Sequence, residues 1–249
     1  RILVQLGQNN AGIKLAVETI VTAEQNEQFD VVHFICRDLL SYYSINKPNN
    51  QKYQKYRQKY TEATKLMEEE AKAEILYRDL IYNYRTNQPI GPFSKAIKGL
   101  EKISVSNNKF KFNYFFYVIK SMYYELTQDS LALIENNKEA YHFFENFGKE
   151  LHHVVKFSFL TKSIPYYLIK NQFAAAENAI KLALTIVPDN SFNQQNILIR
   201  QSLLGFYSNK PKITLIAFHQ AHQKGQKKIK NELITNHWHT INGYLAFFA

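Results

Sequence analysis

The sequence predicts an all-α protein made of stacked antiparallel helical hairpins, and three observations carry this prediction. Apolar residues recur at spacings of three and four along most of the chain. Only eight glycines and six prolines occur in 249 residues, which is few for a turn-rich β architecture. Apolar residues make up 45% of the chain, enough for a sizeable core. Since a hairpin cannot bury its apolar face alone, we expect each to pack on its neighbours.

The first third of the chain predicts the end of one helix, with apolar Ile2, Leu3 and Leu6, and three further helices. A turn at residues 7–10 precedes a helix with an apolar stripe at Ile13, Ala16, Val17, Ile20 and Val21. Further helices are predicted at about 28–45 and 50–85. The apolar positions of the helix predicted at 50–85 are Tyr53, Tyr56, Tyr60, Ala63, Met67, Ala71, Ile75, Leu80 and Tyr84. Because this helix exceeds the usual globular length, it either protrudes as an arm, contains a break near 61–64 or packs along several neighbours, and we expect the last. We expect Glu68–Glu70 to be solvated and Lys65 to form an ion pair with Glu69.

The segment 86–93 (TNQPIGPF) is the clearest interruption, with three Pro or Gly residues close together. It leaves open a subdomain break at 86–92 or a long loop between hairpins; we predict a single domain over 1–249.

The aromatic run 109–124 alternates like a strand at first, but its continuation has helical spacing, so we predict a helix. Helices follow at 129–147, with Asp129 as N-cap, and at 149–170, bent at Pro165.

The stretch 163–190 contains the best-defined hairpin of the sequence. Tyr167 ends a first helix, and Asn171 tolerates the left-handed conformation that a helix C-terminus needs. Pro188 stops the second helix. The apolar face of that second helix is Phe173, Ala176, Ile180, Ala183, Leu184 and Val187. After it, Ser191 caps a helix, Asn209–Pro211 turns the chain, and Thr214, Phe218 and Ala221 repeat the spacing of the second helix.

This order of aromatic, turn residue, aromatic, alanines and proline resembles the tetratricopeptide (TPR) repeat. The front half of the repeat departs from the family pattern, since Leu160 and Ile164 stand where the family favours Trp and Gly. Trp238, Ile241 and Leu245 resemble the opening of a further repeat. The resemblance implies a TPR-like superhelix, and we expect the sequence to be part of a longer chain because it starts at Arg1, in mid-hairpin.

The resemblance also implies a non-catalytic scaffold that binds a peptide or protein on a concave face formed by the first helix of each hairpin. Candidate partner-binding residues lie on two such helices. They are Tyr166, Tyr167 and Lys170 on the first, and Asn196, Arg200 and Tyr207 on the next.

Signatures of catalysis and of cofactor binding are missing from the sequence. No Gly-rich phosphate loop and no GxSxG elbow occurs, so we expect no cofactor and no enzyme activity. Cys36, the single cysteine, lies among apolar residues and is interpreted as a buried small hydrophobe. His219 and His222 have a spacing that can bind a metal, but lack an acidic neighbour, so no metal site is predicted.

The net charge of +10 leaves the class of partner open. Lysines without a carboxylate crowd the segment 210–230, at Lys210, Lys212, Lys224, Lys227, Lys228 and Lys230. They suit an acidic peptide or protein, and the alternative is the ligand-binding regulatory domain of a nucleic-acid-binding regulator, with the basic surface contacting phosphate. No apolar run approaches a membrane span, and the expected location is the cytoplasm.

Overall fold

The computed structural model describes residues 9–147, 152–189 and 191–225, and no strand occurs in these ranges. The all-α prediction is confirmed, including the helix at 109–124. The helices are α1 (Asn9–Gln25), α2 (Phe29–Ser41), a π-helical segment (Tyr42–Asn46), α3 (Asn50–Arg85), α4 (Phe93–Ser104), α5 (Phe110–Leu126), α6 (Ser130–Glu145), α7 (His152–Ile169), α8 (Phe173–Ile186), α9 (Phe192–Tyr207) and α10 (Pro211–Gly225). The predicted repeat opening at Trp238 and the lysines at 227, 228 and 230 lie outside the described residues.

The chain divides into two compact units, Arg1–Ile119 and Lys120–Ala249, and the division falls within α5. In the first unit α2 packs against α1 and α3, and α3 contacts α4. In the second unit each helix from α6 to α10 packs on the next, and α7 also contacts α9. Residues 86–92 connect α3 with α4 inside the first unit. Each unit is thus built largely from consecutive helices.

One turn recurs at five helix ends in the described part of the chain. Its central residue has a positive φ near 55°, at Glu27, Asn87, Gln128, Asn171 and Asn209. The next residue then donates its N–H to the carbonyl five positions earlier, as in Gln172 N to Tyr167 O at 2.8 Å and Lys210 N to Gly205 O at 2.7 Å. This is the Schellman motif, which satisfies carbonyls at a helix end. The predicted turns at Asn171 and Asn209 are confirmed.

The helices that follow four of these turns bury the same positions. In each, the third, seventh and tenth residues after the first helical residue are buried. They are Val32, Cys36 and Leu39 in α2; Leu133, Asn137 and Ala140 in α6; Ala176, Ile180 and Ala183 in α8; and Thr214, Phe218 and Ala221 in α10. A recurring turn followed by a recurring buried face is what a helical repeat produces.

Among the described residues, side-chain caps set the start of three helices. Asn49 accepts a hydrogen bond from Lys52 N at 2.9 Å. Asp129 accepts from Ala132 N at 3.0 Å and Ser191 from Gln194 N at 3.1 Å. Each cap satisfies one of the backbone donors that a helix N-terminus leaves without an intrahelical partner. The two caps predicted from the sequence, Asp129 and Ser191, are confirmed.

Helix α3 is unbroken over 36 residues, as predicted, but the face it buries differs from the expected one in its second half. Tyr56 and Ala63 are buried as expected, whereas Ile75 is 59% exposed and Tyr84 is 56% exposed. The expectation that Glu68–Glu70 are all solvated is wrong.

Polar contacts with the segment that follows α4 explain this difference. Buried Glu69 accepts a hydrogen bond from Asn107 Nδ2 at 2.7 Å, in addition to its predicted ion pair with Lys65 at 3.7 Å. Glu70 pairs with Lys111 on α5. These partners are distant in sequence, so periodicity along α3 alone could not indicate which face they would cover.

The carboxylate of Glu27 reaches the start of α5, where it accepts a hydrogen bond from Phe110 N at 2.7 Å. Burial raises the pKa of Glu27 above its ordinary value of 4.5, against the opposing effects of that bond and of Lys109. The folded state therefore holds the proton more tightly than the unfolded state. Stability must fall as the pH rises from below 4.5 through the folded-state pKa.

We expect Glu27→Gln to remove this part of the pH dependence, because glutamine keeps the acceptor oxygen and cannot ionise. The free energy of unfolding, measured by urea denaturation between pH 4 and pH 7, should fall less with pH in the variant than in the wild type. The exposed Glu68, changed to Gln, controls for the loss of one negative charge. Equal pH profiles of the wild type and Glu27→Gln would contradict the prediction.

Candidate binding cleft between helices α7 and α9

Helices α7 and α9, each the first helix of a hairpin, enclose a cleft of about 230 Å³. Helix α9 lines it with residues spaced three or four apart, so that they share one face. The lining residues are Ile164, Pro165, Leu168 and Ile169 of α7, and Asn196, Ile199, Arg200, Leu203 and Tyr207 of α9. The cleft is open to a ligand at the surface of the second unit.

The floor of the cleft is apolar and belongs to the core. Ile164 is fully buried, and Leu168 and Ile199 are 3% and 5% exposed. The rim is accessible, since Ile169 is 66% exposed and Tyr207 is 50% exposed. Burying an apolar or aromatic group against such a rim is favourable by about 25 cal/mol for each Å² removed from water.

Pro165 and Arg200 connect the two walls of the cleft. Proline has no N–H, so the carbonyl four residues earlier in α7, that of Thr161, loses its intrahelical donor. Arg200 Nη1 donates a hydrogen bond to this carbonyl at 3.0 Å. A break in the hydrogen bonding of one helix is thereby compensated by a side chain of the other.

Arg200 places a positive charge among apolar residues. Its Nε donates to Asn196 Oδ1 at 3.3 Å, one turn earlier on α9. Burial lowers the pKa of the Arg200 guanidinium below its ordinary value, because low-polarity surroundings disfavour the charge. In the parts of the chain that the structure describes, no carboxylate forms an ion pair with Arg200.

The structure brings three of the six sequence-predicted binding residues together, namely Asn196, Arg200 and Tyr207. The other three lie elsewhere. Tyr167 is 5% exposed in the core, where burial and then Glu135 raise the pKa of its phenol. Tyr166 is partly buried, where burial and then Glu125 raise the pKa of its phenol, and Lys170 is exposed beyond the end of α7.

Sequence reasoning missed the apolar half of the cleft. Ile164 and Leu168 are four apart, and Ile199 and Leu203 are four apart, as expected for residues on one helical face. Within each helix, this spacing indicated that the two residues share an apolar face. The apolar spacing did not indicate that α7 and α9, which are separated by α8, would face each other; only the resemblance to the TPR repeat placed the first helices of successive hairpins on one surface.

Other candidate chemistry does not assemble in the described residues. Cys36 is fully buried, as predicted, and burial raises the pKa of its thiol to about 11. Among these residues no three His, Cys, Asp or Glu side chains are grouped closely enough to hold a metal ion. The side chain of His222, one of the two histidines whose spacing was considered above, lies outside the described part of the chain. No described helix is long and apolar enough to cross a membrane.

Comparison with known proteins gives no relative for this chain: no family model, no curated protein and no solved structure matches it.

Proposed function

We propose that this protein is a non-catalytic, TPR-like helical-repeat scaffold that binds a peptide segment of a protein partner. The cleft between α7 and α9 is the observation that carries the proposal. It lies between the first helices of two successive hairpins, where stacked hairpins present their recognition surface.

The recurring architecture supports the scaffold reading. Four second helices share one buried register, and each follows the same left-handed turn. In such an arrangement the second helices pack between hairpins, and residues on the first helices remain for a partner. Asn196 and Tyr207 supply polar groups beside an apolar floor, the combination that holds a peptide side chain and its backbone.

The composition of the cleft supports binding without catalysis. Its described lining contains Arg200 and Tyr207 as the ionisable residues, and no carboxylate, histidine, cysteine or lysine. General acid–base or nucleophilic catalysis needs at least one group that can take or give a proton near neutral pH, or an activated nucleophile. A guanidinium and a phenol provide neither.

A displayed library of random peptides, selected against the full chain, tests the proposal. Selected peptides should lose about tenfold in affinity or more with Tyr207→Ala and with Ile169→Glu, since both change the exposed rim and leave the floor intact. Leu182→Glu, an exposed position on α8 outside the cleft, serves as the matched control and should bind as the wild type does.

Two outcomes would overturn the proposal. One is that no peptide is selected by the full chain. The other is that the selected peptides bind the two rim variants as well as they bind the wild type.

A further inference from the structure

We infer that the first unit carries a binding surface for single-stranded nucleic acid, where the π-helical segment meets α3. This surface, which we call the Lys–Tyr surface, consists of exposed Lys47, Lys52 and Lys55 and partly exposed Tyr42. The inference goes beyond the proposed function, because the peptide cleft lies in the second unit.

The stretch of sequence around this surface has one sign of charge. Between Asp38 and Glu62 the chain contains five Lys or Arg, five Tyr and six Asn or Gln residues, and no carboxylate. Cations neutralise phosphates, tyrosine rings stack on bases, and amides hydrogen-bond to phosphates and base edges. The composition of residues 39–61 therefore matches the chemistry of a nucleic acid strand.

Among the described residues, the lysines of this surface have no negative partner. Of the five cations in the stretch, Lys59 pairs with Glu24. No carboxylate in the described part of the chain forms an ion pair with Lys47, Lys52 or Lys55. Lys52, Lys55 and Lys59 follow one another at spacings of three and four, and like charges so placed destabilise a helix. An anion bound along this face offsets the repulsion.

Two of the lysines are positioned by a pair of rings. Tyr43 and Tyr56 are buried and stack with their centroids 5.7 Å apart and an interplanar angle of 5°. Lys52 Nζ lies 5.2 Å from the centroid of the first ring, and Lys55 Nζ lies 5.8 Å from that of the second. An ammonium that rests on a ring is already positioned, so it loses less side-chain freedom when a phosphate binds.

The ring of Tyr42 favours a single strand over a duplex. It is partly exposed and packs edge-on against Tyr43, with 5.2 Å between the centroids. Lys47 N donates a hydrogen bond to Tyr42 O at 3.0 Å, so this ring and the third lysine belong to adjoining backbone. The bases of a single strand are free to stack on such a ring, whereas the bases of a duplex already stack on one another.

A membrane surface and an acidic peptide fit this surface less well. Ile45, which is 75% exposed, is the one large apolar side chain exposed within 42–59. A helix that lies on a membrane inserts a whole apolar face, and one isoleucine does not supply it. An acidic peptide brings carboxylates but lacks the planar bases that stack on a tyrosine.

Fluorescence anisotropy of a labelled 20-nucleotide oligo(U), titrated with the full chain, tests the inference. Three neutralised phosphates predict that the affinity falls about 20-fold between 50 and 200 mM KCl. A duplex of 20 base pairs should bind at least about fivefold more weakly than the single strand. Oligo(dT) of the same length, titrated in parallel, distinguishes DNA from RNA, and binding of either strand meets the expectation.

A double lysine variant locates the electrostatic contacts. Lys52→Gln with Lys55→Gln should lower the affinity at 50 mM KCl about tenfold and reduce the fall between the two salt concentrations to about threefold. Lys95→Gln with Lys98→Gln is the matched control, since these exposed lysines of α4 are also three positions apart. The control should bind as the wild type does. Circular dichroism checks that each variant is folded.

A tyrosine variant separates stacking from charge. Tyr42→Leu keeps an apolar side chain and removes the ring, so it should weaken single-strand binding severalfold and leave the salt dependence unchanged. Tyr84→Leu, at an exposed position near the end of α3, is the control and should have no effect.

Four outcomes would overturn the inference. They are no binding of either single strand, a duplex bound as tightly as the single strand, equal losses in the two double lysine variants, and stronger competition by a 20-residue polyglutamate or by phosphatidylserine vesicles than by unlabelled oligo(U). The third would show that binding follows the net charge of +10 rather than this surface. None of the four bears on the peptide cleft.

Discussion

Replacing Gly205 with alanine is expected to destabilise the second unit by about 1–3 kcal/mol, the usual cost of overpacking a close contact. A Cβ at this position would lie 2.6 Å from both N and Oγ1 of Thr214 and 3.1 Å from the carbonyl oxygen of Lys210. Two of these three atoms belong to the backbone of α10 or of the turn before it. They cannot move without displacing α10 from α9.

The reason for the close approach is visible in the hydrogen bonds around it. Gly205 accepts the Schellman bond from Lys210 N, and Ser202 Oγ donates to Thr214 O at 3.1 Å. Both bonds hold the start of α10 against the last turn of α9. Alanine favours a helix interior by about 1 kcal/mol over glycine, so a net loss would show that the contact outweighs the propensity.

Gly99→Ala is the matched control for this prediction. Gly99 lies in α4, and no atom comes within 4 Å of a Cβ built there. This substitution should raise stability by up to about 1 kcal/mol. Urea denaturation followed by circular dichroism measures the free energy of unfolding of both variants, and amide hydrogen exchange measures the local stability of α9 and α10. A Gly205→Ala variant as stable as the wild type would contradict the predicted contact.

The second large effect is a coupling between Pro165 and Arg200. Arg200→Met should destabilise the protein by about 1–3 kcal/mol when Pro165 is present, because the Thr161 carbonyl is then buried without a donor. Thr161 is 8% exposed, so water cannot readily replace the lost bond. When residue 165 is alanine, its N–H can bond to the Thr161 carbonyl within the helix. Arg200→Met should then lower the free energy of unfolding by less than it does when Pro165 is present.

A double-mutant cycle of Pro165→Ala and Arg200→Met measures this difference, and we expect a coupling free energy of about 1 kcal/mol. Loss of the buried charge occurs in both arms of the cycle and therefore cancels. Lys162→Met replaces Arg200→Met in the control cycle, since Lys162 pairs with Glu125 and should show no coupling to Pro165. Additive effects of the Pro165 and Arg200 changes would contradict the compensation.

The sequence by itself determined the helices and their turns. Apolar spacing, Asn171 and Asn209 at left-handed positions, and the caps Asp129 and Ser191 are local signals, because each involves residues only a few positions apart. The resemblance to the TPR repeat predicts Asn196, Arg200 and Tyr207 as binding residues on a first helix, and these residues line the cleft from α9.

Only the tertiary structure decided which faces meet. The buried side of α3 depends on Asn107 and Lys111, which lie 38 and 41 residues after their partners Glu69 and Glu70. The cleft depends on α7 facing α9, and Tyr167, which the sequence placed among the binding residues, turns into the core instead. Packing between helices sets these choices, because periodicity along one helix indicates that it has an apolar face but not which neighbour will cover it.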